Sequence, residues 1–169
     1  MERVILVNEK DEFLGTMEKM EAHEKGVLHR AFSVMIMNSK GEMLLQQRAF
    51  SKYHCGGLWT NACCSHPREN ERTSDAAQRR LTEELGTTYP VQFLYSFVYK
   101  AEVDGGLTEH ELDHVFLAQT EELPTAFNKE EVQAVKWVPL SEIESDIALN
   151  PHNYTPWFKI IFLKFRAFI

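Results

Sequence analysis

Residues 59–86 read WTNACCSHPRENERTSDAAQRRLTEELG, a polar loop followed by a stretch with helical spacing. The helical part is expected to run from Thr73 to Leu85. At 100° per residue, Ala77, Leu81 and Leu85 fall on one apolar stripe, which is the pattern of a helix with one side against a core. The stretch therefore predicts a motif loop that leads into an amphipathic helix.

Two charged pairs lie beside this stripe. Arg80 and Glu84 stand on its immediate flank and face the same space, so they suit a phosphate and a metal ion. Arg79 and Glu83 lie further round the helix. For this second pair an exposed i,i+4 salt bridge, which contributes a few tenths of a kcal/mol, is as good an interpretation as a functional one.

The same stretch resembles the Nudix signature, G-x5-E-x7-R-E-U-x-E-E-x-G-U, where U is apolar. Its required positions are occupied by Glu71, Arg79, Leu81, Glu83, Glu84 and Gly86, and it is broken by Ser65, Arg80 and Thr87. In Nudix hydrolases the carboxylates of this loop and helix hold divalent cations that activate water against a pyrophosphate. Because Arg80 replaces a carboxylate, it removes a metal ligand and adds a cation that can bind phosphate.

A second resemblance covers nearly the whole chain. The motif TNACCSHP at residues 60–67, together with the altered box, resembles type 1 isopentenyl-diphosphate isomerases. Further motifs follow in that family's order: VILVN at 4–8, LHRAFS at 28–33, RAFSK at 48–52, EHEL at 109–112 and TPWF at 155–158. The resemblance implies an enzyme of isoprenoid biosynthesis that isomerises isopentenyl diphosphate to dimethylallyl diphosphate through a tertiary carbocation.

The composition is that of one globular domain over residues 1–169. With 44% hydrophobic and 25% charged residues, the chain has enough apolar material for a sizeable core. Its net charge of −7 argues against a nucleic-acid or anionic-membrane partner, which would require a basic surface. Charge interrupts the first apolar run early, so we expect neither a signal peptide nor a membrane span, and a cytoplasmic location. Three cysteines, two of them adjacent, make a poor disulfide framework.

Strand and helix patterns together suggest an α/β fold, a Nudix-like α/β/α sandwich with a mixed sheet. Strands are predicted at residues 3–7, 31–37, 43–47, 93–103, 112–119 and 134–139, which are rich in Val, Ile, Phe and Tyr. Helices are predicted at residues 73–85, 141–148 and 156–168. Thr73 or Ser74 is expected to cap the first helix, Ser141 the second, and Pro156 to open the third. The third is apolar but too short and too charged to span a membrane, so we expect it to dock on the core rather than on a membrane surface or a partner.

Three histidines and two carboxylates form the candidate metal site. His23, His29 and His66 lie next to motif residues, and alternation places Glu109 and Glu111 on one face of a predicted strand edge. This set is richer in oxygen than structural zinc sites, so we expect a roughly octahedral site completed by the second oxygen of Glu111 or by water. The residues do not decide between Mn²⁺, Mg²⁺, Zn²⁺ and Fe²⁺. The family resemblance implies the same five residues, and the remaining histidines are interpreted as structural or surface residues: His54, His110, His114 and His152.

The resemblance also assigns the residues that hold the diphosphate. It implies that Glu84 binds a Mg²⁺ ion that accompanies the substrate. It implies that four cations contact the phosphates: Lys19, Arg48, Lys52 and Arg80. Taken alone, each of these is more typical of a solvated surface charge, and only their occurrence together with the motifs favours a binding role.

Moving a double bond requires an acid and a base on opposite faces of a small hydrocarbon in a dry pocket. We infer that Cys64 and Glu111 are this pair, because a thiol pKa responds to adjacent charge and a metal-bound carboxyl gains acidity. The sequence does not settle which group delivers the proton. In the isopentenyl to dimethylallyl direction we favour protonation from the Glu111 side, assisted by Tyr99, and removal by Cys64.

A carbocation also needs a π face. Trp157 is the best candidate, since a desolvated cation over an indole gains about 2 kcal/mol, or roughly thirtyfold in rate. Core packing at a helix start is the alternative for Trp157. Tyr99 belongs to an alternating aromatic run with Phe93, Tyr95 and Phe97, most of which we expect in the core.

Two other functions remain to be weighed. A Nudix hydrolase of a nucleoside diphosphate derivative would have this fold, but Arg80 weakens its metal site and hydrolysis has no use for Cys64. A binding module with a purely structural metal would explain the histidines but not the phosphate cluster. The sequence does not distinguish a monomer from a homodimer.

Overall fold

The computed structural model describes residues 1–169. The strands are β1 (Arg3–Val7), β2 (Phe13–Glu18), β3 (His29–Met37), β4 (Glu42–Arg48), β5 (Trp59–Asn61), β6 (Cys63–Ser65), β7 (Gln92–Glu102), β8 (Thr108–Gln119) and β9 (Val132–Pro139). The helices are α1 (Lys19–Lys25), α2 (Thr73–Leu85), α3 (Leu140–Leu149) and α4 (Pro156–Phe168).

The strands form one mixed sheet. β3 and β8 pair in parallel, from His29 opposite Glu111 to Met37 opposite Gln119. β7 pairs antiparallel with β8, and β3 pairs antiparallel with β1, β4 and β6. β4 also pairs antiparallel with β5 and β9. The predicted mixed sheet is therefore confirmed.

Helices cover both faces of this sheet. β3 is apolar along most of its length, and its alternate residues contact opposite layers. Phe32, Val34 and Ile36 pack with Leu81 and its neighbours on α2. Met35 points the other way, into the core formed with α3 and α4. The α/β/α sandwich is confirmed, and so is the apolar stripe of α2, which is buried.

The C-terminal helix α4 docks on the core as expected. Trp157, Phe158, Ile161, Phe162 and Phe165 are all buried, at the spacing of one helix face. None of the helices has the length and apolarity that a bilayer crossing would require. The first turn of α4 is held by a hydrogen bond from the backbone N–H of Phe158 to the threonine hydroxyl that precedes the helix.

Four elements were not predicted, and two caps were predicted wrongly. The missed elements are β2, α1, β5 and β6, of which β5 and β6 have three residues each. α2 begins directly after Arg72, whose side chain makes no capping bond, so neither Thr73 nor Ser74 caps it. α3 begins at Leu140 after Pro139, which places Ser141 inside the first turn rather than at the cap.

The aromatic run along β7 does not keep to one face. A register shift between Phe93 and Tyr95 in the pairing with β8 interrupts the alternation. Phe93 is consequently 52% exposed and contacts the rings of β8 on the other side of the sheet. Tyr95, Phe97 and Tyr99 remain on the side that faces α4. Of the run that we expected mostly in the core, Tyr99 is buried, Tyr95 and Phe97 are half-buried against the core, and Phe93 is exposed.

Candidate active site

One cleft brings together most of the predicted site residues. It has a volume of about 110 Å³ and is lined by β6, β7 and β8 and by the first turns of α1 and α4. Its lining includes the four predicted catalytic residues and the four predicted phosphate contacts: Cys64, Tyr99, Glu111, Trp157, Lys19, Arg48, Lys52 and Arg80. His66 and Glu109 line it as well, whereas His23 and His29 are fully buried behind it.

The candidate metal ligands converge from four parts of the chain. Alternation along β8 places Glu109 and Glu111 on one face, and the parallel pairing with β3 sets His29 opposite Glu111. His23 comes from α1, and His66 directly follows β6. One ligand atom from each of these five residues lies within 4.8 Å of all the others. The predicted five-residue set is therefore assembled in space.

The ring orientations of His23 and His29 fit a cation. Their Nδ1 atoms lie 2.7 and 2.8 Å from the carbonyl oxygens of Lys19 and Val27. A carbonyl only accepts, so each Nδ1 carries the hydrogen and each Nε2 is left with a lone pair when the ring is neutral. Each Nε2 nevertheless faces a carboxylate oxygen at 3.1 Å, from Glu109 and Glu111 respectively. Two acceptors face each other at this distance only if a positive charge joins them, as a divalent metal does.

Without a metal, a proton takes this place at His23. Burial by itself would lower the pKa of His23, but the hydrogen bond and the charge of Glu109 outweigh it and raise the pKa to about 8. The pKa of Glu111 lies well below its usual value, because hydrogen bonds from His29 and His66 outweigh its burial. Both shifts favour a positive charge between the histidines and the carboxylates, whereas burial lowers the pKa of His66.

At one end of the cleft, three of the four candidate phosphate contacts are held in ion pairs: Lys19, Lys52 and Arg80. Lys19 Nζ lies 2.9 Å from Glu2 Oε2, and Lys52 Nζ lies 2.5 Å from Glu131 Oε2. Both partners, Glu2 and Glu131, line the cleft and were not predicted. Each glutamate is far in sequence from the lysine that it binds, as Glu131 is from Lys52. No local sequence pattern could therefore reveal these pairs.

Glu84 lies behind this end rather than in the lining of the cleft. It is buried, and its Oε2 is 2.9 Å from Arg80 Nη2, which confirms that Arg80 and Glu84 face the same space. Glu84 also accepts hydrogen bonds from Gln46 Nε2 at 3.1 Å and from Cys63 Sγ at 3.3 Å. Its binding of Mg²⁺ stays a prediction.

Arg79 joins the motif loop to α2 and decides between the two interpretations of its pair with Glu83. Its guanidinium makes bonds of 2.8 and 2.9 Å to both oxygens of Glu71, and of 3.1 Å to Glu83. Glu83 also accepts from Arg80 Nη1 at 3.2 Å. The structural interpretation is thus favoured. Arg79 and Arg80 together pair with three carboxylates of the motif, Glu71, Glu83 and Glu84.

The Cys64 thiol is held between two polar side chains. Its Sγ lies 3.3 Å from Ser33 Oγ and 3.1 Å from Asn61 Oδ1. The amide nitrogen of Asn61 donates to two backbone carbonyls, so its Oδ1 must be the atom that faces the thiol. Burial raises the pKa of Cys64, and the thiol therefore keeps its proton in the ligand-free protein. Ser33 and Asn61 were not predicted.

Tyr99 and Trp157 line the cleft together with Cys64 and Glu111. Tyr99 is the cross-strand partner of Glu111, and its hydroxyl donates to Glu111 Oε1 at 2.5 Å. The Trp157 ring is 3% exposed and stacks with His54 at a centroid distance of 5.3 Å. The Arg48 guanidinium lies 5.1 Å from the Trp157 ring centroid. Tyr53, His54 and Ser65 also line the cleft and were missed from the sequence.

This chain is similar in sequence to known proteins along most of its length. The NUDIX domain profile matches residues 27–158. The chain is 45% identical over 161 residues to an isopentenyl-diphosphate Delta-isomerase of Pectobacterium atrosepticum, covering 95% of this chain and 89% of that protein. It is 46% identical over 170 residues to an isopentenyl-diphosphate Delta-isomerase of Aliivibrio fischeri, covering 96% and 94%.

Solved structures show the same fold at lower identity. DR0079 from Deinococcus radiodurans has a TM-score of 0.73 at 22% identity, covering 88% of this chain and 90% of that one. A NUDIX hydrolase from Nitrosomonas europaea has a TM-score of 0.61 at 17% identity, covering 81% and 87%. At these identities the likeness concerns the fold alone.

Proposed function

The chain belongs to the Nudix family and, within it, to the isopentenyl-diphosphate Delta-isomerases, and from that membership we propose how its residues convert isopentenyl diphosphate to dimethylallyl diphosphate. One observation supports the proposal most directly. A thiol, a carboxylate, a phenol and an indole line the same small cleft as four phosphate-binding candidates.

The cations anchor the diphosphate. Lys19, Arg48, Lys52 and Arg80 contact its oxygens, and Glu84 binds the Mg²⁺ that accompanies it. Anchoring the charged end holds the five-carbon chain in one pose, which converts proton transfer into an effectively unimolecular step. The hydrocarbon then lies among Cys64, Tyr99, Glu111 and Trp157.

A second divalent cation would be held by His23, His29, His66, Glu109 and Glu111, whose ligand atoms lie within 4.8 Å of one another. When bound, it fixes the Glu111 carboxyl in place and raises its acidity. Mn²⁺, Zn²⁺ or Mg²⁺ all suit this donor set, which combines imidazole with carboxylate.

One proton is added at one face of the substrate's five-carbon chain, and another is removed at the opposite face. On the Glu111 side, the proton of the Tyr99–Glu111 hydrogen bond passes to the terminal alkene carbon and leaves a tertiary carbocation, and the Tyr99–Glu111 pair regains a proton from solvent after the reaction. The Trp157 ring stabilises that cation. Cys64, acting as a thiolate after its own proton has left for solvent, then removes a proton from the neighbouring carbon to form the new double bond. Because the reaction is reversible, each group has the opposite role in the other direction, and the proton that Cys64 holds in the free protein serves that return step.

The hydrolase alternative has less support. Arg80 stands where the Nudix signature has a carboxylate, and the relatives at 45–46% identity are named isomerases. We further propose a cytoplasmic location, where the three free cysteines stay reduced.

Incubation with isopentenyl diphosphate and Mg²⁺ in D₂O tests the function by NMR. We expect deuterium in a methyl group of dimethylallyl diphosphate and no release of phosphate. Phosphate release, or the absence of exchange with every divalent metal tried, would overturn the proposal.

A second experiment tests the order of proton transfer. With Cys64→Ala, we expect deuterium to enter the terminal methylene of isopentenyl diphosphate without dimethylallyl product, since the acid still works and the cation can only return. With Glu111→Gln, we expect no exchange. The opposite pattern would assign the acid to Cys64.

A further inference from the structure

His54 contacts three groups of the site without belonging to the predicted set. It is 4% exposed and lies in the lining of the cleft. Its Nε2 is 2.7 Å from Glu109 Oε1, its Nδ1 is 3.1 Å from Arg48 Nη2, and its ring stacks with Trp157. One imidazole therefore joins a metal ligand, a phosphate anchor and the candidate π face.

The hydrogen-bond partner of Nδ1 determines whether Nε2 of His54 carries the hydrogen. A guanidinium only donates, so Nδ1 of His54 must accept from Arg48 and cannot carry a hydrogen. In the neutral ring the hydrogen is then on Nε2, which donates it to Glu109. The bond network thus selects one tautomer of His54.

This tautomer is the reverse of that in the metal ligands. His23 and His29 carry the hydrogen on Nδ1 and present an Nε2 lone pair to the cluster, whereas His54 presents an N–H. A nitrogen that bears hydrogen cannot bind a metal. His54 is therefore not a sixth ligand, and its bond occupies Oε1 of Glu109, whereas Oε2 faces His23.

The ring is also fixed by stacking. Tyr53 stacks on His54 at a centroid distance of 4.1 Å and an interplanar angle of 10°, and Trp157 stacks with it at 29°. Arg48 makes a further bond of 3.2 Å to the His54 carbonyl oxygen. A side chain held by both rings and two hydrogen bonds cannot move without moving its neighbours.

We propose that His54 is a positioning residue that joins Arg48 to Glu109 and so sets where the anchored diphosphate lies relative to the proton-transfer groups. The proposal rests on the proposed function. It gives His54 two separable effects, one on binding of the phosphate end and one on the metal site.

Three substitutions separate these effects. His54→Gln places an amide N–H near Nε2 and keeps the bond to Glu109 but not the acceptor for Arg48. His54→Asn places an amide oxygen near Nδ1 and keeps the contact with Arg48 but not that with Glu109. His54→Phe keeps the stacking with Tyr53 and Trp157 and removes both hydrogen bonds.

Calorimetric titration of the substrate-free protein with Mn²⁺ and with inorganic pyrophosphate measures each effect. For His54→Gln we expect unchanged Mn²⁺ affinity, pyrophosphate binding weakened about tenfold and KM raised to match. For His54→Asn we expect Mn²⁺ affinity lowered about tenfold or more, with lowered kcat and unchanged pyrophosphate binding. His54→Phe should show both losses.

The same substitutions at His114 provide the control. His114 also bonds a carboxylate, Asp11, at 2.9 Å, but it lies outside the cleft, so its variants should bind both probes normally. If His54→Gln and His54→Asn lose the two affinities equally, or lose neither, the proposal is wrong. Neither titration depends on turnover, so a failure of the isomerase function, seen in the deuterium experiment, would be recognised separately.

Discussion

Asn61 determines how the Cys64 thiol is presented to the cleft. Its amide nitrogen is bound by the carbonyl oxygens of Val34 and Cys63, so its oxygen points at Sγ. The thiol is thus oriented by a side chain that is itself fully fixed, which is the arrangement that precise proton transfer requires.

Loss of either proton-transfer residue should abolish turnover and leave diphosphate binding intact. We expect this for Cys64→Ala and Glu111→Gln, because neither contacts the ion pairs at the phosphate end. Turnover by NMR and pyrophosphate binding by calorimetry measure the two properties. Cys55→Ala, which removes a buried cysteine outside the cleft, is the control and should stay active. Near-full activity of Cys64→Ala would contradict the assignment.

Trp157→Phe should lower kcat about tenfold with little change in KM, since a benzene ring is a weaker π partner for a cation than indole. Steady-state kinetics measure this. The control is Trp59→Phe, because Trp59 lies outside the cleft and its ring contacts Lys136 instead. Equal effects of both substitutions would indicate a packing role for Trp157.

The sequence predicted those site residues that resemble a family's motif residues, and the structure brings them together in one cleft. It did not identify His54 or Asn61 as site residues. The role of His54 depends on Glu109, which is 55 positions away, and on a bond whose direction only the folded structure defines. A lone histidine in a loop has no local pattern that reveals such partners.

Among the elements, periodicity predicted the long strands and helices and failed on the short ones. α2 and α4 match their predicted bounds, because thirteen residues show the helical stripe clearly. β5 and β6 are too short to show any alternation. The predicted caps failed because α2 and α3 begin one residue or more before the serine expected to cap them, Ser74 or Ser141.

The Glu71 carboxylate binds Arg79 and so connects the motif loop to α2. Glu71→Gln should therefore lower the free energy of unfolding by about 1 kcal/mol. The hydrogen bond from Arg79 lowers the pKa of Glu71 below 4.5 in the folded state. Its contribution is therefore present above the unfolded pKa of 4.5 and is lost as pH falls through the folded pKa.

Urea unfolding of Glu71→Gln and wild type between pH 7 and about pH 3 tests this, since the difference should shrink towards acid. Glu69→Gln is the control, because Glu69 is exposed in the same loop. A difference that stays constant with pH would contradict the ion-pair explanation.

At the scale of the whole molecule, the candidate metal site joins α1, β3, β8 and the loop after β6. An ion that binds only the folded chain stabilises it by about 2.7 kcal/mol at a hundred times its Kd. Chelation with EDTA should therefore lower Tm by about 5–10 °C relative to protein saturated with Mn²⁺.

Calorimetric scanning measures this shift. His29→Asn should remove it, whereas His152→Ala, at an exposed histidine far from the cluster in sequence, should retain it. Identical Tm values with and without metal in the wild type would show that the cluster does not bind the ion.

The parallel pairing of β3 with β8 limits where this chain can change in length. His29 meets Glu111 only in one register, so inserting or deleting a single residue within β8 would turn both carboxylates away from the histidines. The hairpin between β7 and β8 is different, because Gly105 and Gly106 have open space around them. Homologues and engineered variants should therefore vary in length at this turn and keep the strands beside it constant.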